Sequence, residues 1–252
     1  MAYRRGRTVV GFTPHFPPFV LLYHLVLLVV QVVNWALYGL EVRGRENLQG
    51  IDRAVLVSNH TLLLDPALVA HALRPRRTYF TMLEETALIP LLGTFVRLLG
   101  GIPLPRGSGS GERRERGIDD ALQLLGFVHF FPEGECYVRN QEIRSFQRGA
   151  FHAACRRGLP VIPVTTVLRE RAWQVWRWFD LPPRVLVVLG APLHPAADEG
   201  RPLAGVSRVA EEELSRRAHA VMQSVIDREG GCKTMGRGMM PRIGLHHAVA
   251  TR

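Results

Sequence analysis

Four residues lie between His60 and Asp65 in the stretch SNHTLLLDP. A histidine oriented by a carboxylate is the minimal device for taking a proton from an alcohol. In one straight helix, positions five apart point about 140° away from each other. The pair can therefore meet only if His60 lies on a loop and the chain turns before Asp65. The run AVLVS at 54–58 reads as a buried strand, and Pro66 favours a first helical turn. A strand–loop–helix unit would leave Asn59 and His60 just past the carboxyl end of the strand, where open α/β sheets place their chemistry. Two plainer meanings exist: Asp before Pro is a common helix N-cap, worth about 1 kcal/mol, and a single His after a strand is commonly a satisfied surface or core residue.

The elements that must position this pair alternate along the chain. Extended runs at 53–58, 78–83, 101–105, 127–131, 161–167 and 184–189 are interleaved with helical patterns at 66–74, 84–99, 112–125, 147–157 and 207–228. That alternation predicts an α/β fold: a mixed, largely parallel sheet flanked by helices on both faces. With 252 residues and 47% hydrophobic content the chain can bury a core as one such unit. Its net charge is +10, and Lys233 is the only lysine. Arginine grips phosphate bidentately and keeps its charge, so the bias suits a phosphate-bearing partner: an anionic lipid, coenzyme A, an acidic carrier protein or nucleic acid. Cys136, Cys155 and Cys232 have no metal or redox spacing and read as reduced and cytosolic.

Three further motifs follow the first in order: GGIPLPR at 100–106, FPEG at 131–134 and LPVIPV at 159–164. Together the four resemble the motif set of the glycerolipid acyltransferase family, over roughly residues 40–190, and FQRGAFHAA at 146–154 is similar to that family's helix entry. The resemblance implies the glycerolipid acyltransferase fold, His60 as general base and Asp65 as its orienting carboxylate. It implies acceptor-binding roles for Arg106, Glu133 and Gly134 at the second and third motifs, and Asn59, beside the base, is expected to bind substrate as well. Because a carboxylate facing a phosphate is repelled, Glu133 fits a hydroxyl contact or an arrangement of neighbouring arginines. The fourth motif reads as a core strand beside the site, and Gly149 as a place for close helix packing. The family pattern continues after its glycine with Thr-Arg-Ser; here it is Glu135-Cys136-Tyr137, and Arg139, Arg144 or Arg148 is left to supply the missing cation. Cys136 as an acyl-carrying nucleophile is disfavoured, since the obvious base already pairs with Asp65.

Residues 19–38 form one long uncharged apolar run, broken by His24, Gln31 and Asn34. About 20 helical residues can cover a bilayer, but arginines on both flanks disfavour a single span under the positive-inside rule. An in-plane or re-entrant anchor fits better, with a true span and a buried soluble helix as the other readings. The domain expectation is thus an N-terminal hydrophobic membrane-anchoring helix within 1–40, a catalytic domain at 41–228 and a disordered basic tail at 229–252. WQVWRWF at 173–179 reads as an interface patch or as core aromatics. His71, His129, His152 and His194 lack partners at ligand spacing, so no metal is expected.

The function implied by the resemblance is transfer of a fatty acyl group from acyl-CoA or acyl carrier protein to lysophosphatidic acid, at the cytoplasmic face of the cell membrane. The same chemistry on glycerol 3-phosphate, another lysophospholipid or a lyso-aminolipid is the nearest alternative. No metal, nucleotide cofactor or covalent intermediate is required. A non-catalytic lipid-binding protein is disfavoured by the intact His60 and Asp65. Nucleic-acid binding would explain the arginines but neither the apolar run nor the ordered motifs.

Overall fold

The computed structural model describes residues 34–83, 101–104, 111–171, 182–196 and 207–233, together with Leu25, Leu28, Val29, Gln31, Val32, Gly236 and Gly238. The described residues form seven strands: β1 (Glu41–Arg43), β2 (Ala54–Ser58), β3 (Tyr79–Leu83), β4 (Gly101–Leu104), β5 (Phe127–Phe130), β6 (Val161–Arg169) and β7 (Arg184–Leu189). Their order across the sheet is β1-β7-β6-β2-β5-β3-β4. Strands β2 to β6 pair in parallel, while β7 runs antiparallel to β6 and β1 follows β7. The expected mixed, largely parallel sheet is thus present, with one strand more than the sequence patterns marked.

Every residue of β2 is buried, which is why it reads as a continuous apolar run rather than an alternating one. Its side chains alternate between two cores. Val55 and Val57 join Ile118, Phe151 and Leu214, contributed by α2 (Gly111–Leu125), α3 (Gly149–Arg157) and α4 (Arg208–Arg228). Ala54 and Leu56 join Leu68, Val69 and Ala72 of α1 (Asp65–Ala72) on the opposite face. Helices therefore cover both faces, and β2 sits centrally between β5 and β6.

This order decides where the site is. From β2 the chain moves to β3 and β4 on one side, returns to insert β5 beside β2, then crosses to β6 on the other. The carboxyl end of β2 is the resulting switch point, where loops diverge and leave a crevice. Val57 stands opposite Phe130 and Pro163 in register, so the segments leaving β2 and β5 emerge side by side.

Two expectations differ from the structure. The described part of the 229–252 segment is bound to the domain: the Cys232 amide donates to Leu168 O at 2.9 Å and Val138 N to Gly238 O at 2.9 Å. Gly149 has no heavy atom within 4 Å of where a Cβ would stand, so it starts α3 without close packing. Residues 84–99, 173–179, Arg106 and much of 1–33 lie outside the described residues, as do the expectations placed on them. Among the described residues no helix is long and apolar enough to cross a membrane.

Candidate functional site

The turn predicted between His60 and Asp65 is made by Asp65 itself. Its Oδ2 accepts hydrogen bonds from the backbone amides of Thr61 (2.6 Å) and Leu62 (2.7 Å), and from His60 Nδ1 at 2.9 Å. One fully buried carboxylate oxygen thus folds the loop and orients the imidazole. Asp65 is the first residue of α1 and its side chain does not cap that helix; the plain N-cap meaning is excluded by these partners. Since the carboxylate can only accept, Nδ1 carries the proton, and Nε2 is left as the nitrogen able to take another.

His60 is clamped at its backbone as well. Its amide donates to Glu133 Oε1 at 3.0 Å and its carbonyl accepts from Tyr137 N at 3.0 Å. The ring stacks on Phe131, with centroids 4.0 Å apart and planes inclined by 21°. Buried Cys136, in the loop after β5, acts on the same imidazole. Burial lowers the His60 pKa, but the hydrogen bonds and charge of Asp65 and Cys136 act the other way and prevail, raising it to about 10. The arrangement can hold a proton firmly and surrender it as the local charge changes.

Glu133 is buried, and its second oxygen accepts from Arg144 N at 3.1 Å. Burial raises its pKa, while these two backbone donors and the His60 charge lower it. It ties the loop after β5 to the loop after β2, an arranging role rather than an open face for a hydroxyl. Gly134 closes that turn at φ 77°, donating to Phe131 O at 3.0 Å, and a Cβ there would stand 3.3 Å from Gln147 Nε2. Asn59, expected at the substrate, joins two strands: its amide donates to Thr166 O (2.9 Å) and its oxygen accepts from Thr166 N (2.8 Å).

Of the three replacement arginines, Arg148 is committed elsewhere, to Glu211 at 2.5 Å. Arg139 and Arg144 border the site. Arg139 takes φ 56°, and its amide donates to Thr61 O at 2.8 Å; the Arg144 guanidinium lies 5.2 Å from the Tyr137 ring centroid. A left-handed backbone at a non-glycine residue costs of order 1 kcal/mol and persists where surrounding contacts fix it. Here it keeps the chain against the loop that carries His60.

An acyltransferase family model matches residues 39–167, just over half of the chain, covering the His60–Asp65 loop and the FPEG turn. The chain belongs to the acyltransferase family. Among its relatives, the chloroplastic 1-acyl-sn-glycerol-3-phosphate acyltransferase LPAT1 of Arabidopsis thaliana is 32% identical over 135 residues, 51% of this chain and 36% of the relative. The 1-acyl-sn-glycerol-3-phosphate acyltransferase of Haemophilus influenzae is 29% identical over 57% of this chain and 61% of its own length. That of Pseudomonas aeruginosa is 27% identical over 69% of this chain and 67% of its own. The chain thus spans about a third of the plant relative and under two thirds of the Haemophilus one. The crystal structure of the 1-acyl-sn-glycerophosphate acyltransferase PlsC from Thermotoga maritima superimposes with a TM-score of 0.54 at 22% identity, covering 82% of this chain and 81% of that one. This acyltransferase therefore shares that fold.

One residue that sequence reasoning passed over supports the site from beneath. His129 of β5 is fully buried, bonded through Nε2 to Ser58 Oγ at 2.8 Å and set edge-on to Phe131, ring centroids 4.6 Å apart. It holds the ring on which His60 rests. Burial and the His60 charge lower its pKa to about 3. The unfolded chain, with an ordinary histidine, then binds a proton below about pH 6.5 that the folded chain refuses. Stability is accordingly expected to fall on acidification from pH 6.5 towards 4.5, by up to about 1.4 kcal/mol per pH unit from this residue. Half-buried His71, also shifted down, adds in the same direction. Urea midpoints against pH test this: His129→Gln should flatten the slope, and an unchanged slope would remove His129 as its source.

Proposed function

We propose that this acyltransferase moves a fatty acyl group from an acyl thioester to the free hydroxyl of lysophosphatidic acid, giving phosphatidic acid. The observation that carries the reading is the 2.9 Å bond from His60 Nδ1 to a buried Asp65 carboxylate, which leaves Nε2 for a substrate proton. His60 takes the hydroxyl proton as the oxygen attacks the thioester carbonyl, and Asp65 stabilises the imidazolium that forms. The tetrahedral intermediate collapses, the C–S bond breaks, and the departing sulfur receives the proton from His60 as free thiol. Neither a metal nor a redox cofactor is needed for these steps, and the donor is acyl-CoA or acyl carrier protein. Arg139 and Arg144, bordering the loop, are the cations assigned to the acceptor's phosphate, with Arg106 expected beside them. The reaction is placed at the cytoplasmic face of the membrane, where an arginine-rich protein of charge +10 meets anionic lipid.

A second acceptor is kept open by one observation: buried Cys136 stands beside His60 where the resembling family carries an arginine. Product analysis by mass, with lysophosphatidic acid, lysophosphatidylcholine, lysophosphatidylethanolamine and glycerol 3-phosphate offered separately alongside palmitoyl-CoA, separates the two. Phosphatidic acid as the dominant product supports the primary reading. Acylation of a zwitterionic lysolipid in its place would move the assignment to that acceptor.

A further inference from the structure

Strand β6 outruns its neighbour. Its pairing with β2 ends at Ser58 opposite Val164, yet it continues to Arg169. Val55 N donates to Pro160 O and Gly190 N to Pro163 O, so even-numbered positions of this stretch face β2 and odd-numbered ones face β7. Past the end of β2, Thr166 and Leu168 therefore turn their backbone groups to an edge that no strand covers. Both residues are fully buried, so those groups need partners. The partners come from three separate parts of the chain. The Asn59 side chain takes the amide and the carbonyl of Thr166. Gln141 Oε1 accepts from Leu168 N at 2.8 Å, and its Nε2 donates to Asn140 O at 3.0 Å and Thr166 O at 3.5 Å. Leu168 O accepts from the Cys232 amide at 2.9 Å. Strand β6 is thus a ruler on which the loop after β2, the loop after β5 and the carboxyl-terminal segment are each set at a fixed height.

Gln141 is the member of this set whose segment reaches the base. It is fully buried, with its donor and acceptor both matched. Just before it, Tyr137 N donates to His60 O at 3.0 Å and Arg139 N to Thr61 O at 2.8 Å. Asn59 fixes the His60 loop on β6 directly, and Gln141 fixes the segment that bonds the same loop. Gln141 is held in turn. Gln223 of α4 donates to its carbonyl at 3.3 Å, and a Cβ on Gly231 would stand 2.8 Å from its Oε1. Val138 N donates to Gly238 O at 2.9 Å, so the carboxyl-terminal segment grips this stretch at a second point. We propose that Gln141 is a positioning residue for the acyl transfer: by registering residues 137–139 on β6 it sets the height of the loop that presents the His60 imidazole. It acts through the backbone of that loop and not on the reacting atoms. The inference rests on His60 as the base of the activity proposed above. A misplacement of about 1 Å at such a group can cost on the order of 10²-fold in rate.

Gln141→Met in the full-length chain tests it, since methionine keeps the length of the side chain and removes its donor and acceptor. Relative to wild type, kcat should fall at least about tenfold while KM for palmitoyl-CoA changes by less than about twofold. Leu122→Ala, which opens the core at α2 beside the start of β5, should lower stability and leave kcat of the folded protein unchanged. Hydrogen–deuterium exchange reads the link without turnover: peptides covering 137–141 and 60–64 should both exchange faster in Gln141→Met, and neither should be singled out in Leu122→Ala. Gly231→Ala leaves every atom of Gln141 in place and crowds its Oε1. It should give the same pattern in milder form, and it decides alone if Gln141→Met does not fold. Faster exchange confined to 137–141, or wild-type kcat in folded Gln141→Met, would show a purely local structural role and overturn the proposal. If wild type acylates another lysolipid in place of lysophosphatidic acid, the proposed activity falls, the rate comparison is made on that acceptor, and the exchange result stands in either case.

Discussion

Replacing His60 with alanine should lower kcat by 10² to 10⁴-fold while leaving the fold in place, a cost of roughly 3–5 kcal/mol in transition-state stabilisation. The fold survives because its contacts at this position are largely backbone ones. The His60 amide to Glu133 and its carbonyl to Tyr137 N persist in the variant; the ring's stacking on Phe131 and its 2.9 Å bond to Asp65 are lost, while Asp65 Oδ2 keeps the Thr61 and Leu62 amides. The wild-type pH profile carries a matching signature. A base must be unprotonated to act, and the His60 pKa is raised to about 10 by Asp65 and Cys136 against the effect of burial. kcat/KM should therefore keep rising with pH well above 6.5, where an unperturbed histidine would level off. A plateau reached by pH 6.5 would contradict the raised value, and full activity in His60→Ala would contradict the base assignment.

Asp65→Asn separates charge from geometry. The asparagine oxygen can occupy the place of Oδ2 and still accept from His60 Nδ1 and the Thr61 and Leu62 amides. Its NH₂ then falls at Oδ1, a buried atom with no partner, so one donor is left unsatisfied at about 1–3 kcal/mol. The loop should remain folded with reduced stability. kcat should fall by about 10²–10⁴-fold, because the imidazolium loses its counter-charge. Losing the carboxylate also lowers the His60 pKa, so the acid limb of the pH profile should move to lower pH. Combined with His60→Ala, the variant should add almost nothing further, since the two side chains act as one unit. Additive losses in the double variant would show that Asp65 acts through something other than the imidazole. Asp65→Ala should be worse for stability, since it strands two buried amides.

What the sequence revealed and what it concealed divide along contact range. The His60–Asp65 turn was legible because five positions of chain contain it, and the buried run 54–58 and Pro66 fix its ends. Six strands were legible from apolar runs of four or more residues. β1 was not: three residues carry no readable alternation, and its role comes from pairing with β7, more than 140 residues away. Long-range partners are equally hidden at Glu133: its type and motif allow a hydroxyl contact or an arranging role, and only the fold shows its oxygens holding the amides of His60, 73 positions away, and Arg144. The partner of Asn59, Thr166 on β6, is likewise not legible in the sequence. The influence of Cys136 on His60 is not legible either: the pairing of Tyr137 and Arg139 with the 60–61 backbone sets Cys136 beside the His60 loop, where it adds to the rise in the imidazole pKa.

The most direct test of the central claim is thiol release from palmitoyl-CoA in detergent micelles, with and without lysophosphatidic acid, for wild type and for His60→Ala shown to be folded by circular dichroism. The account predicts release that depends on the acceptor in wild type and falls at least about 100-fold in the variant. Acceptor-dependent release at the wild-type rate in folded His60→Ala would contradict it.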